Sequence, residues 1–340
     1  MIIIALIFSI LNLQPIDADN LNQVQQLSEI TIVGGVNGID FHPIEPTHLA
    51  IAQESGIVSV WDVSNREMVN QWQISEQPIT LVEYLPNGKQ IVYMTEDGQI
   101  AILDTAEVNA YLFPKIHNTS ATTFAVGSNE WLVVGYWDGK VRMFDVDCRC
   151  LIHTLHNYNQ PISTIDFSTD TDYLAYGSMT SIFLWELQSA DIFLLNIFEA
   201  GELNDLEFNP VIQEPMLVDT FASVSNFMSI QTWNTLGFIG QEIEKIPQQM
   251  AYPDHMSFSP NGYLVAIVGK ETTAGGGCNT NLCPVEIINL QDYSSDKGFG
   301  AIQIGSHEMW YSDVDFNVDG RLLASASQDG LIKIWGVMSE

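Results

Sequence analysis

The chain has 340 residues, of which 46% are hydrophobic and 10% aromatic, so it can bury a large core and is too apolar for a disordered chain. Asp and Glu number 42 against 11 Lys and Arg, a formal net charge of -31. Nucleic acid and anionic membrane surfaces are excluded as partners, because both demand a cationic face.

The first residues, "MIIIALIFSILNLQPIDADN", hold an apolar run that is too short to span a bilayer comfortably. A polar break and Ile16-Asp17-Ala18 follow, so residues 1–18 are expected to be a secretory signal peptide, although no Lys or Arg precedes the run. That makes the protein secreted or extracytoplasmic. The other reading, an apolar element of the fold, leaves it cytoplasmic. Residues 19–26 read as a short polar lead, and "LSEITIV", Leu27 to Val33, as a strand without a local partner. No later segment reads as transmembrane.

From residue 27 to 340 one unit recurs. Strands ending near Trp61, Leu103, Phe144, Trp185, Trp233, Ile288 and Trp335 are spaced by roughly 40 to 55 residues, the period of a repeat architecture. Each unit opens on an aromatic-ended strand, such as "GIDFHP", "LVEYLPNG", "STIDFSTD", "DLEFNP", "HMSFSPNG" and "DVDFNVDG". A second strand, a turn that is often Asp-Gly, a third strand and a less regular fourth strand follow. Four short strands make one small antiparallel sheet that cannot cover both its faces alone. Seven packed radially cover one another.

This pattern resembles the WD40-repeat β-propeller family over about residues 27–340, most closely in the last unit. The resemblance implies an all-β fold. It is a seven-bladed β-propeller of four-stranded antiparallel blades, closed by Leu27–Val33 lying beside Ile332–Trp335 in the last blade. It implies a buried hydrogen-bond chain through Trp335, Ser325, His307 and Asp329, with a partial version in His117, Asp138 and Phe144 and only Asp97 kept in unit two. Units five and six depart most from the pattern. The implied role is a non-enzymatic scaffold that binds a protein or peptide, of basic character given the charge. It acts as a monomer and takes no cofactor.

In the family the residue six positions before the end of the first strand faces partners. Here that position holds Gly35, Pro78, Ser120, Pro161, Glu202, Tyr252 and Trp310. The two large aromatics neighbour each other, beside an insert at about 270–284. Tyr252, Trp310, Tyr311 and Glu308 therefore form the expected binding patch. Cys278 and Cys283 flank four residues in that insert and are the disulfide candidate, while pairing of Cys148 with Cys150 stays open.

Motifs for chemistry are sparse. His307-Glu308 begins an H-E-x-x-H pattern, but its fifth position is Tyr311, so a structural role for His307 is preferred. Asp315 to Gly320 matches the start of a calcium loop, yet position twelve is Ala326 rather than Glu. Asp170 and Asp172 read as a solvated turn. No catalytic and no metal-binding residues are assigned. The alternative function is a propeller enzyme, or a cation-dependent binder, using acidic residues at the channel mouth.

Overall fold

The computed structural model describes residues 13–339, apart from 108, 157–159, 179–180, 190, 198–202, 212–219, 226–228, 235–240, 244–251, 271–282, 295–297 and 310. Alternating side chains dictate the architecture. In the second strand of the first sheet, His48–Gln53, Leu49 and Ile51 face one way and Ala50 and Ala52 the other, all fully buried. A strand buried on both faces needs a sheet packed against each side.

Among the described residues the chain is an all-β propeller. Six four-stranded antiparallel sheets occupy 36–73, 79–112, 121–156, 162–197, 203–243 and 252–307, numbered here sheets 1 to 6. Each runs in sequence order from an inner to an outer strand. The expected seven four-stranded blades are thus six, and the remaining sheet has five strands. Sheet 7 joins Tyr311–Phe316, Leu322–Ser327 and Leu331–Met338 to two N-terminal strands. Gln25–Thr31 pairs with Leu331–Gly336, placing Ile30 opposite Ile332, and Leu13–Gln14 continues along Val337 and Met338. The fifth strand therefore extends the same outer edge. The orphan strand lies where expected, beginning two residues earlier.

Hydrophobic clusters sit between consecutive sheets. Trp72 packs with Tyr93 and Leu103, for example, and Phe208 and Phe221 pack with Leu184. One cluster joins Ile332 and Ala324 of sheet 7 to Val36, Phe41 and Leu49 of sheet 1. Sheets 5 and 6 are the irregular ones, as expected. The fourth strand of sheet 5 has three residues, whereas the outer strands of sheet 6, Cys283–Ser294 and Gly298–His307, have 12 and 10. Cys283 begins the third strand and is fully buried, so the insert ends there rather than at Pro284.

The buried chain in the last unit forms across sheets 6 and 7. Ser325 Oγ accepts from Trp335 Nε1 at 2.9 Å and lies 2.8 Å from His307 Nε2. Gly305 makes room for it, since a Cβ there would sit 2.2 Å from the Trp335 ring. Burial, aided by Lys333, lowers the His307 pKa to about 3, so the imidazole is neutral. His307 ends a strand rather than lying in a loop. The Asp329 carboxylate accepts from the Leu331 amide at 2.9 Å, holding its own turn. His117 is exposed; in unit three Phe144 has no N–H to donate, and Asp138 pairs with Arg142 at 2.7 Å.

Residues 13–26, expected as the end of a leader and a polar lead, are folded. Leu13, Ile16 and Leu21 are 4%, 1% and 4% exposed. The Ile16 amide bonds to Gly320 O, and Asp17 caps a short 3-10 helix, Ala18–Gln23. Ile16 and Leu21 pack on strands of both sheets 6 and 7, so this strap spans their joint. Ile16→Ala should therefore cost about 2 to 5 kcal/mol, the usual range for emptying a buried aliphatic site. Urea unfolding measures it, and a change below about 0.5 kcal/mol would place the strap outside the core.

Candidate functional site at the channel mouth

The first strand of each sheet pairs on one side only, so its other edge faces the central channel. Buried amides on that edge need acceptors. Side chains from the preceding sheet supply most of them. The residue before the last one in the strand is Asp40, Glu83, Ala125, Asp166, Glu207, Ser257 and Asp315 in sheets 1 to 7. Asp40 accepts from Tyr84 N at 2.6 Å, Glu83 from Val126 N at 3.3 Å, and Asp166 from Phe208 N at 2.6 Å. Glu207 accepts from Phe258 N at 3.0 Å and Ser257 Oγ from Phe316 N at 3.2 Å. Asp315 then accepts from Phe41 N at 2.7 Å, joining the last sheet to the first. Ala125 has no acceptor, and Phe167 N turns instead to the carboxylate of Asp166 beside it, at 2.8 Å. Two residues nearer the mouth, Asp205 accepts from Met256 N at 3.1 Å and Asp313 from Ile39 N at 3.0 Å.

Nearer still to the mouth, every inner strand carries a β-bulge at the same place, four residues before its end. A bulge re-aims one side chain. The bulged residues are Asn37, Thr80, Thr122, Ser163, Asn204, Asp254 and Ser312, all polar. Asn37 bonds to Ile79 O at 2.9 Å, Thr122 to Ile162 O at 2.6 Å and Asn204 to Pro253 O at 2.6 Å, each in the next sheet. Ser312 reaches Val36 O in sheet 1. The cavity that six of them line, all but Asp254, has a volume of about 490 Å³, within the usual size of ligand pockets. Glu54 and Glu96 stand at its rim, and Asp205 and His255 in its wall.

Burial first, and then neighbouring carboxylates, lifts the acids of the channel. Asp166 and Asp315 rise to about 7 and Asp205 to about 6. Asp40, Glu83 and Glu207 rise well above the usual range. These groups bind protons more tightly folded than unfolded, so their contribution to stability is complete below pH 4 and is lost as pH rises through 7.

Among the described residues, no group of three or more His, Cys, Asp or Glu is placed to hold a metal ion. In the calcium-like stretch, Asp315 serves the channel, Asn317 bonds to Pro46 O at 2.8 Å and Asp319 accepts from Arg321 N at 3.1 Å. Asp170 accepts from Ser168 Oγ and Asp172 N within its own turn.

The expected patch is only partly in view. Tyr252 and Tyr311 each begin an inner strand, Glu308 is exposed, and Trp310 lies outside the described residues with most of the insert. Cys283 is disulfide-bonded, and Cys278 lies outside the described residues. Cys148 and Cys150, left open above, are joined in a disulfide with Cα atoms 5.2 Å apart. The carboxylate and bulge rings escaped notice in the sequence, although each occupies a constant place in the repeat: one and four residues before the strand end. No helix among the described residues is long and apolar enough to cross a membrane.

The family model described as "WD domain, G-beta repeat" matches residues 302–336, from the last strand of sheet 6 through the three C-terminal strands of sheet 7. Over 164 residues the chain is 27% identical to WD repeat-containing protein 90 of Mus musculus, covering 46% of this chain and 9% of that protein. It is 20% identical over 147 residues to E3 ubiquitin-protein ligase COP1 of Arabidopsis thaliana, covering 42% and 22%. It is 25% identical over 160 residues to eukaryotic translation initiation factor 3 subunit I of Neurospora crassa, covering 43% and 46%. The matched stretch spans less than half the length of each of these relatives.

Thermal unfolding followed from pH 5 to pH 8 should show a falling midpoint. Asp315→Asn, which keeps an acceptor but removes the titrating proton, should flatten that fall. A midpoint that climbs over this range would contradict the channel chemistry.

Proposed function

We propose that this chain, a member of the WD40-repeat family, closes into a seven-bladed ring and serves as a non-enzymatic scaffold that binds a protein or peptide. Bonds from Asp313 and Asp315 of sheet 7 to Ile39 and Phe41 of sheet 1 support closure, as does the shared cluster of Ile332 and Phe41. The observation that carries the scaffold reading is the division of labour in the inner strands. Their edges are tied sheet to sheet by buried hydrogen bonds, while the turns above them stay exposed around the mouth. Rigid frames with free loops are the usual setting for binding.

The carboxylates deep in the channel already accept backbone amides, which favours the scaffold over a cation-dependent binder or enzyme. The proposed patch is Tyr252, Trp310, Tyr311 and Glu308, and the acidity of the chain suits a basic partner. The ring acts as a monomer, since its sheets cover one another. Export fits the apolar opening run when processing falls ahead of Leu13, which is built into sheet 7.

Affinity capture from the native extracellular fraction tests the reading. Trp310→Ala should lose the captured partner while the unfolding midpoint stays within about 2 °C of the parent. Retained capture with a large loss of stability would instead make these rings part of the fold. Millimolar calcium should leave the midpoint unmoved, whereas a clear rise would revive the cation-dependent reading.

A further inference from the structure

The turns between the second and third strands of sheets 1, 2 and 3 are equivalent. In each, the first turn residue donates its amide to the residue that leads into the inner strand. Glu54 N bonds to Gly35 O at 3.4 Å, Glu96 N to Pro78 O at 2.9 Å, and Trp137 N to Ser120 O at 3.0 Å. Three consecutive sheets thus set Glu54, Glu96 and Trp137 in one arc. All three side chains are exposed, and Trp137 is 64% exposed, an unusual state for an indole.

Glu54 and Glu96 wall the 490 Å³ cavity, and no Lys or Arg belongs to that wall. Thr122, two residues along from Ser120, walls it too, so the turn that carries Trp137 lies on the cavity's side of sheet 3, although the indole is not part of the wall. Among the described residues neither glutamate has an ion-pair partner, whereas Asp97 in the same turn as Glu96 is met by Lys115 at 2.9 Å. The arc therefore presents two uncompensated carboxylates, a polar hollow able to hold a side chain, and an aromatic plate beside it. Carboxylates select a cation, and an exposed indole offers both apolar area and a face that attracts cations.

We infer that this arc recognises a peptide segment bearing Lys or Arg: the cationic side chain enters the hollow between Glu54 and Glu96, and a neighbouring apolar residue lies on Trp137. The assignment rests on the scaffold reading and sets the recognising groups on sheets 1 to 3, although the hollow is also walled by His255 of sheet 6 and Ser312 of sheet 7.

Anisotropy titrations with fluorescein-labelled Gly-Leu-Xaa-Leu-Gly peptides, with Arg, Lys, Gln or Glu in the middle, test it. Arg and Lys should bind the parent at least about tenfold more tightly than Gln, with Glu weakest. Glu54→Gln with Glu96→Gln should abolish that preference. Trp137→Ala should weaken every peptide by about threefold or more. The control Glu67→Gln with Glu107→Gln changes the charge equally at exposed sites in sheets 1 and 2 and should keep the preference. Equal loss in the control would reduce the effect to bulk charge and overturn the assignment. So would a parent that binds Gln as well as Arg. If the Glu54→Gln, Glu96→Gln, Trp137→Ala variant still captures the native partner normally, this site fails and the scaffold reading stands.

Discussion

An inner strand with an open edge is the condition around which this molecule is organised. Each sheet ends on a strand that pairs with one neighbour only, and its free amides point into a channel too deep to leave them to bulk solvent. A buried amide without an acceptor costs more than a hydrogen bond is worth. The acceptor comes from the preceding sheet: Asp40 for Tyr84, Asp166 for Phe208, Glu207 for Phe258 and Asp315 for Phe41. Sheets that pack on one another largely through apolar faces are thereby set in register, because a hydrogen bond is directional and a hydrophobic contact is not.

That arrangement changes the meaning of the acidity. Asp40, Glu83, Asp166, Asp205, Glu207, Asp313 and Asp315 lie within the channel wall rather than on the surface. They are held there by backbone donors, and their mutual repulsion is relieved by protonation. Self-repulsion for solubility accounts for the remaining surface acids. Above these groups the bulges redirect a ring of polar side chains into the mouth, and the turn tips are left free to vary without disturbing the frame. Glu54, Glu96 and Trp137 differ chemically while their backbones make the same bond.

The last unit shows what a full set of side chains achieves, and the others show substitutes. Trp335, Ser325 and His307 link sheets 6 and 7. Unit one replaces the histidine with Gln53, which bonds to Ser59, the acceptor for Trp61. Unit two holds its turn with Thr95 on Asp97 at 2.6 Å. Unit three uses the Asp138–Arg142 pair, with the guanidinium over the Tyr136 ring. Each substitute secures the equivalent turn, Ser-Gly in unit one and Asp-Gly in units two and three, by a different local chemistry, so the fold survives repeats that look degenerate.

Much of the architecture was legible from spacing alone. Strand identity and the four-strand unit follow from period and turn residues, because these are local properties of the chain, whereas the irregular fifth and sixth units and the pairing of the stretch near Leu27 with the final strand were implied by the family resemblance. Ser325 and His307 were legible through the same resemblance, as members of the best-preserved unit. The strap through Ile16 and Leu21 was hidden, since two apolar residues in a short polar stretch form no period. The carboxylate ring was hidden too: Asp40 and Asp315 are 275 residues apart in a chain full of acids, and nothing in either neighbourhood announces that both border one channel. Sequence by itself determined which residues alternate and where the chain turns. Only the tertiary structure decided which acids are buried, which amide each one serves, and that the turns of Glu54, Glu96 and Trp137 lie in one arc, because those relations exist only once distant sheets are brought side by side.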